Sequence, residues 1–206
     1  TFSGHESFQC RRLWLKKGYD FIFDKNTFNS EDAVVTLGLG KNMVSSLRFW
    51  MKCFGIIDSN DLLTEFAHKI FHNDNGWDPY LEDEATLWIL HHKLVKNGYA
   101  STYSIIFNEL RREKIEFTKD NFLSFVKRKV EQLKIQPISE KTLNEDFGVM
   151  NKMYLRSSAQ SKEKEDTFSG LLTELDLIKS FGKRGEEYFV IENSNKDEIP
   201  DARSEE

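Results

Sequence analysis

Disulfides, membrane spans and proline-broken backbone are all things this sequence is too poor to support. Its 206 residues hold two cysteines, Cys10 and Cys53, which form neither a Cys-x-x-Cys pair nor a disulfide framework. Small buried thiols in a reducing cytoplasm are the expectation. No apolar run reaches about eighteen residues, so no membrane-spanning helix is expected. The opening Thr1-Phe2-Ser3-Gly4-His5 lacks the basic-then-apolar order of a secretory signal. With only three prolines and eleven glycines, little interrupts helix formation. What the chain does have is bulk for a core, in seventeen phenylalanines and four tryptophans.

The net charge of −5 argues against a protein coated in nucleic acid, but its distribution is uneven. Residues 1–55 carry eight Lys/Arg against five Asp/Glu, and residues 56–100 carry three against eight. Residues 101–160 carry eleven against eight, and residues 161–206 seven against thirteen. Two mildly basic blocks alternate with acidic ones, which is compatible with a local phosphate-facing surface and also with ordinary solvated faces.

Hydrophobic spacing predicts a mainly α-helical protein. A short helix is expected over residues 7–18, with Gly18 as its stop. Ser30 caps a second helix through Leu37, and Gly38-Leu39-Gly40 turns the chain into a third, from Lys41 to about Phe54. On that third helix Met43, Val44, Leu47, Trp50, Met51 and Phe54 form the apolar stripe. Lys41, Asn42, Ser45, Ser46, Arg48 and Lys52 form a polar and basic one. Gly55–Asp58 and Leu62–Thr64 then read as two short strands of a wing. The first 75 residues are thus expected to form a winged helix-turn-helix module for DNA, with the third helix entering the major groove and its free N-terminal amides meeting phosphate. The competing reading of the same stripe is a solvated face used for protein contacts.

Residues 76–192 are expected to form a helical domain. Its helices start near Glu82, run over 100–110, over Thr118–Leu133 and over Ser139–Tyr154, and a β-hairpin around Gly182–Gly185 closes it. Helices followed by a hairpin describe a second winged-helix-like unit, and other small folds as well. Residues 157–166 read as a mobile polar loop and residues 193–206 as a disordered acidic tail.

Three stretches go beyond architecture: Phe2-Ser3-Gly4-His5-Glu6-Ser7-Phe8, then Leu37-Gly38-Leu39-Gly40-Lys41-Asn42-Met43-Val44, then Gly76-Trp77-Asp78-Pro79-Tyr80-Leu81-Glu82-Asp83. In order and spacing they resemble the SspB-like family of DNA phosphorothioation and phage-defence systems. The resemblance is close over about residues 2–97 and diffuse beyond. It implies a single-strand DNA nick that supports sulfur entry into the backbone, with a cysteine desulfurase and ATP-consuming proteins as partners.

Candidate sites follow from side-chain chemistry. Arg11, Arg12, Lys16 and Lys17 make a second basic stripe, suited to backbone phosphates or simply to solubility. Gly38-Leu39-Gly40-Lys41 has only part of a phosphate-loop pattern and follows a helix, which argues against nucleotide binding. A nick needs an activated nucleophile and charge stabilisation at phosphorus. His5 with Glu6, and Asp78 in the run Asp78, Glu82, Asp83, Glu84, are the candidates, the latter with Mg²⁺ or Mn²⁺. Each has a plainer reading as a cap or turn residue. His68 and His72 share a helical spacing that two metal ligands need, but such pairs are common and no metal site is assigned.

Overall fold

A computed structural model describes residues 1–156 and 169–192. The expected mobile loop at 157–166 and the acidic tail at 193–206 lie outside the described residues. Helix α1 (Arg12–Phe23) starts five residues later than the periodicity predicts and continues past Gly18. The cause of the late start is local: Ser3, Glu6 and Ser7 take positive φ, so residues 3–7 coil instead of extending the helix. Gly18 is not a stop. A Cβ there would lie 2.3 Å from the Met51 sulfur, so this glycine lets α1 approach α3 closely.

Helix α2 (Ala33–Leu37) ends on Gly38 at φ +60, and α3 (Lys41–Cys53) starts from an extended Gly40. The helix-turn-helix expectation is met. The expected two-stranded wing is not: a single bridge, Ile57↔Leu63, forms where the strands were expected. Asp58 explains the tight turn, because its Oδ1 accepts from the amides of Asn60 and Leu62 at 2.8 and 2.9 Å. A turn closed that early leaves no length for strands. Thr64 then caps α4 (Glu65–Phe71) and Asp83 caps α5 (Glu84–Asn97), which Gly98 ends at φ +67.

In the second half, α6 (Ser101–Ile105), a π-helical turn (Ile106–Leu110) and α7 (Arg111–Glu113) follow one another without a break. Strand β1 (Glu116–Phe117) precedes α8 (Lys119–Leu133), whose start is fixed by a reciprocal capping box between Thr118 and Asn121. Helix α9 (Glu140–Tyr154), capped by Ser139, is followed by strands β2 (Ile178–Lys183) and β3 (Glu186–Ile191). The sheet is antiparallel in the order β1-β3-β2. The hairpin is where hydrophobic alternation puts it; β1, two residues long, carries no pattern that could reveal it.

Helix α9 is a shared wall. On one side Phe147 packs on Phe122 of α8 and Phe189 of β3, with ring centroids 5.4 and 5.1 Å apart. On another, Tyr154 bonds His91 of α5, hydroxyl to Nδ1, at 2.7 Å, and both rings pack on Phe107 in the π-helical turn. Burial, with help from His92 and Arg111, lowers the His91 pKa to about 4. Because the folded value lies below the unfolded one, the unfolded chain takes up the proton first as pH falls. This imidazole therefore favours folding above about pH 6.5, and the contribution is lost between there and pH 4. The expected loss is roughly 3 kcal/mol, at 1.36 kcal/mol per pKa unit. Chemical denaturation at pH 7 and pH 4.5 should show His91→Gln losing less stability on acidification than the parent.

Candidate nucleic-acid interface

Helix α3 separates its faces cleanly. Val44, Leu47, Phe49, Trp50, Met51 and Cys53 are buried, while Lys41, Asn42 and Ser45 are exposed in its first turns. No side chain caps its N-terminus, so the first amides are left open beside the Gly38-Leu39-Gly40 turn and the exposed Lys41. Gly38 and Gly40 have open space where a Cβ would stand, so a phosphate backbone can come close to the turn.

Further along the helix the cations are engaged. The Arg48 guanidinium grips Asp61 in the Ile57–Leu63 turn through Nε at 3.1 Å and through Nη2, and also donates to Asn29 Oδ1 at 3.2 Å. Lys52 Nζ lies 3.0 Å from Asp61 Oδ1 and donates to the Ser59 carbonyl at 3.3 Å. Burial pushes the Asp61 pKa up, but the hydrogen bonds and charges of Arg48 and Lys52 outweigh it and hold the carboxyl below its ordinary value. One carboxylate thus offsets part of the positive charge of the stripe. If this face meets DNA, Asp61→Asn should raise duplex affinity several-fold by freeing two cations. It should cost under about 1 kcal/mol of stability, as for other partly exposed ion pairs. Fluorescence anisotropy beside thermal denaturation measures both.

Not every residue of the predicted stripe belongs to it. Ser46 is fully buried and donates to the Phe8 carbonyl at 3.4 Å, because its position in the helical repeat falls beside Trp50 and not on the outer face. Lys16 is likewise withdrawn: its ammonium bonds Asp20 at 2.5 Å and Asn73 at 2.6 Å, and the side chain is buried. Lys17 donates to the Leu37 carbonyl at 2.9 Å and closes the end of α2. Arg12 pairs with Glu174 at 2.5 Å, and the Arg11 guanidinium lies 5.6 Å from the Trp14 ring. The second basic stripe is therefore split among intramolecular partners, leaving Lys41, Asn42 and Ser45 as the unengaged surface of α3, with Arg48 and Lys52 behind it held by Asp61.

The same geometry gives the catalytic candidates structural tasks. His5 is buried with both ring nitrogens taken: the Ser7 amide donates to Nδ1 at 3.2 Å, and Nε2 meets Asp146 Oδ1 at 2.9 Å. The Ser7 donor assigns the ring hydrogen to Nε2, which donates to Asp146. Asp146, itself buried in α9, also accepts from the Ser3 amide and the Thr102 hydroxyl, both at 2.8 Å. Glu6, by contrast, is exposed, so adjacent residues diverge and share no proton path. Asp78 is buried as well. Its Oδ1 accepts from the Glu82 amide at 2.8 Å and its Oδ2 from the Asp83 amide at 3.0 Å, a clamp on the turn into α5. Among the described residues no group of three or more His, Cys, Asp or Glu is placed to hold a metal ion.

The residues that pattern reading missed are Asp61 and Asp146. Asp61 sits in an unremarkable turn and gave no signal. Asp146 did: it is an acid three residues beyond Leu143, on the apolar stripe of α9, where an unpaired charge is costly.

The stretches that carry the family resemblance thus have structural tasks. Residues 2–8 bind the inner side of α3, with the Phe8 carbonyl accepting from Trp50 Nε1 at 2.9 Å and the His5 ring stacked 6.2 Å from Trp50. Residues 37–44 form the turn, and residues 76–83 the clamp. Residues 2–203 match the model of the family described as "Protein of unknown function (DUF4007)". The chain belongs to this family. No curated protein matches it. Two solved structures are similar to this DUF4007 chain. A magnesium ion-bound SspB crystal structure has a TM-score of 0.81, and a second SspB crystal structure has 0.79. Each is 26% identical and covers 97% of this chain. The chain covers 62% of each SspB chain, about three-fifths of its length. The resemblance to the SspB-like family is borne out, and so is the mainly helical fold that ends in a small β-hairpin.

Proposed function

We propose that this chain is the duplex-DNA-binding component of a bacterial DNA phosphorothioation defence system, in which one strand is nicked so that sulfur can enter the backbone. The observation that carries the reading is the exposed outer face of α3, where Lys41, Asn42 and Ser45 stand free at an uncapped helix N-terminus with Arg48 and Lys52 behind them. Lys and helix amides suit phosphate, and Asn and Arg suit base edges in the major groove. The likeness to SspB supports the setting. A cysteine desulfurase and ATP-consuming proteins are the proposed partners. A direct test is protection from acylation read by mass spectrometry. A bound duplex should shield Lys41 well and Lys69 and Lys96, on α4 and α5, little; equal labelling of all three with and without DNA would remove the assignment.

The nick itself is a separate matter. Asp78 clamps the turn into α5 by accepting from the Glu82 and Asp83 amides, and among the described residues no group of three or more His, Cys, Asp or Glu is placed to hold a magnesium ion like that of one SspB structure. No cleavage step is therefore assigned to named residues. His5 and Asp78 favour a second reading, in which the chain is an adaptor that brings modification partners to DNA. Supercoiled plasmid distinguishes the two. Conversion to open circles with Mg²⁺ or Mn²⁺, abolished by chelator, assigns the nick to this chain; plasmid left intact assigns it to a partner.

A further inference from the structure

The described residues from 101 to 192 run helix, strand β1, helices α8 and α9, then hairpin β2–β3, with β1 against β3 and not β2. This is the chain order of a winged-helix unit, and its wing is better built than the turn beside α3. Strand β1 reaches only Phe189 and Val190, so the pairs Phe181↔Tyr188, Gly182↔Glu187 and Lys183↔Glu186 stand beyond the third strand. Residues 181–187 are all exposed.

The tip is a two-residue turn, Arg184-Gly185, with φ of +55 and +82. Two positive φ values are what a type I′ hairpin turn requires, and Asn-Gly or Gly-Gly satisfies it best. An arginine at the first position holds a backbone conformation that side chains other than Asn and Asp rarely adopt. The left-handed φ closes the turn, and the arginine that bears it is exposed at the tip and packs on no core. Gly182 and Gly185 flank the cations Lys183 and Arg184, and neither position has an atom near where a Cβ would stand. Behind the tip, Phe181 and Tyr188 stack at 6.0 Å, and Lys183 Nζ lies 5.6 Å from the Tyr188 ring, which stiffens the ribbon. Lys183 also meets Glu116 at 3.3 Å, an exposed pair that phosphate can displace. Glu186 and Glu187 follow on β3, so the positive charge is confined to the tip.

We propose that this hairpin is a second DNA-contacting element, with the Lys183–Arg184 tip seated at a minor-groove edge of the duplex. Narrow minor grooves concentrate negative potential and draw arginine. The proposal rests on the duplex-binding reading of α3. The test uses the whole chain, a 30-base-pair duplex and fluorescence anisotropy. Arg184→Asn is the informative variant, because asparagine suits the turn. It should hold or raise the thermal midpoint and still weaken duplex binding five- to tenfold near 0.1 M salt, about what one phosphate contact is worth. Binding within twofold of the parent, with folding intact, overturns the proposal. Lys41→Glu in the same assay separates the two surfaces. If it weakens binding while Arg184→Asn does not, the hairpin proposal alone fails; if the parent binds no duplex, both readings fail.

Discussion

Asp146→Ala is expected to be the most damaging single substitution of a polar residue in this protein, costing about 3 kcal/mol or more. The carboxylate gathers three donors in a buried place: the Ser3 amide, His5 Nε2 and the Thr102 hydroxyl. Removing it leaves two buried donors, on His5 and Thr102, without a partner at roughly 1–3 kcal/mol each, and frees the part-buried Ser3 amide as well, less whatever relaxation recovers. For a chain of this size about 3 kcal/mol lowers the thermal midpoint by on the order of 10 °C. Asp146→Asn keeps an acceptor and should cost less than half as much. Because residues 2–8 also hold Trp50, the alanine variant should increase acrylamide quenching of tryptophan fluorescence. An alanine variant as stable as the parent would show that the network does not hold the N-terminal segment.

Lys41→Glu with Ser45→Glu is expected to lower duplex affinity at least tenfold near 0.1 M salt and to leave the fold intact. Both positions are exposed on the first turns of α3, so the change acts on the surface and spares the core. Loss of one phosphate contact is worth nearly tenfold at that salt, and the added carboxylates repel the backbone as well. Arg48→Glu would be a poorer choice, since it would set a carboxylate against Asp61 and damage the turn. Circular dichroism and thermal denaturation check the fold; anisotropy on a duplex reads the affinity.

Helices with a full amphipathic repeat were legible: α3, α5, α8 and α9 lie where spacing and caps put them, because Asp83, Thr118 and Ser139 cap by local rules that sequence expresses directly. The start of α1 was not, because Ser3, Glu6 and Ser7 take positive φ in a segment that Ser3 and His5 tie to Asp146, far away in sequence. Gly18 misled for a similar reason: the same residue that ends helices also admits a neighbouring helix. The wing near residue 58 failed because Asp58 closes the turn through its own side chain. For the candidate site, periodicity found the exposed face of α3 but misassigned Ser46, one position over from it, and could not see that Asp61 would fold back onto Arg48 and Lys52. The fates of Lys16, His5 and Asp78 depend on partners brought in by the fold, which single-residue chemistry does not reveal.

The salt dependence of duplex binding tests the central claim most directly. With Lys41, Arg48 and Lys52 meeting phosphates, the logarithm of affinity should fall against the logarithm of salt with a slope of about −2 or steeper. The Lys41→Glu variant should be shallower by about one. Affinity that does not change between 50 and 200 mM salt, or a slope untouched by the variant, would contradict the claim that this helix face grips DNA.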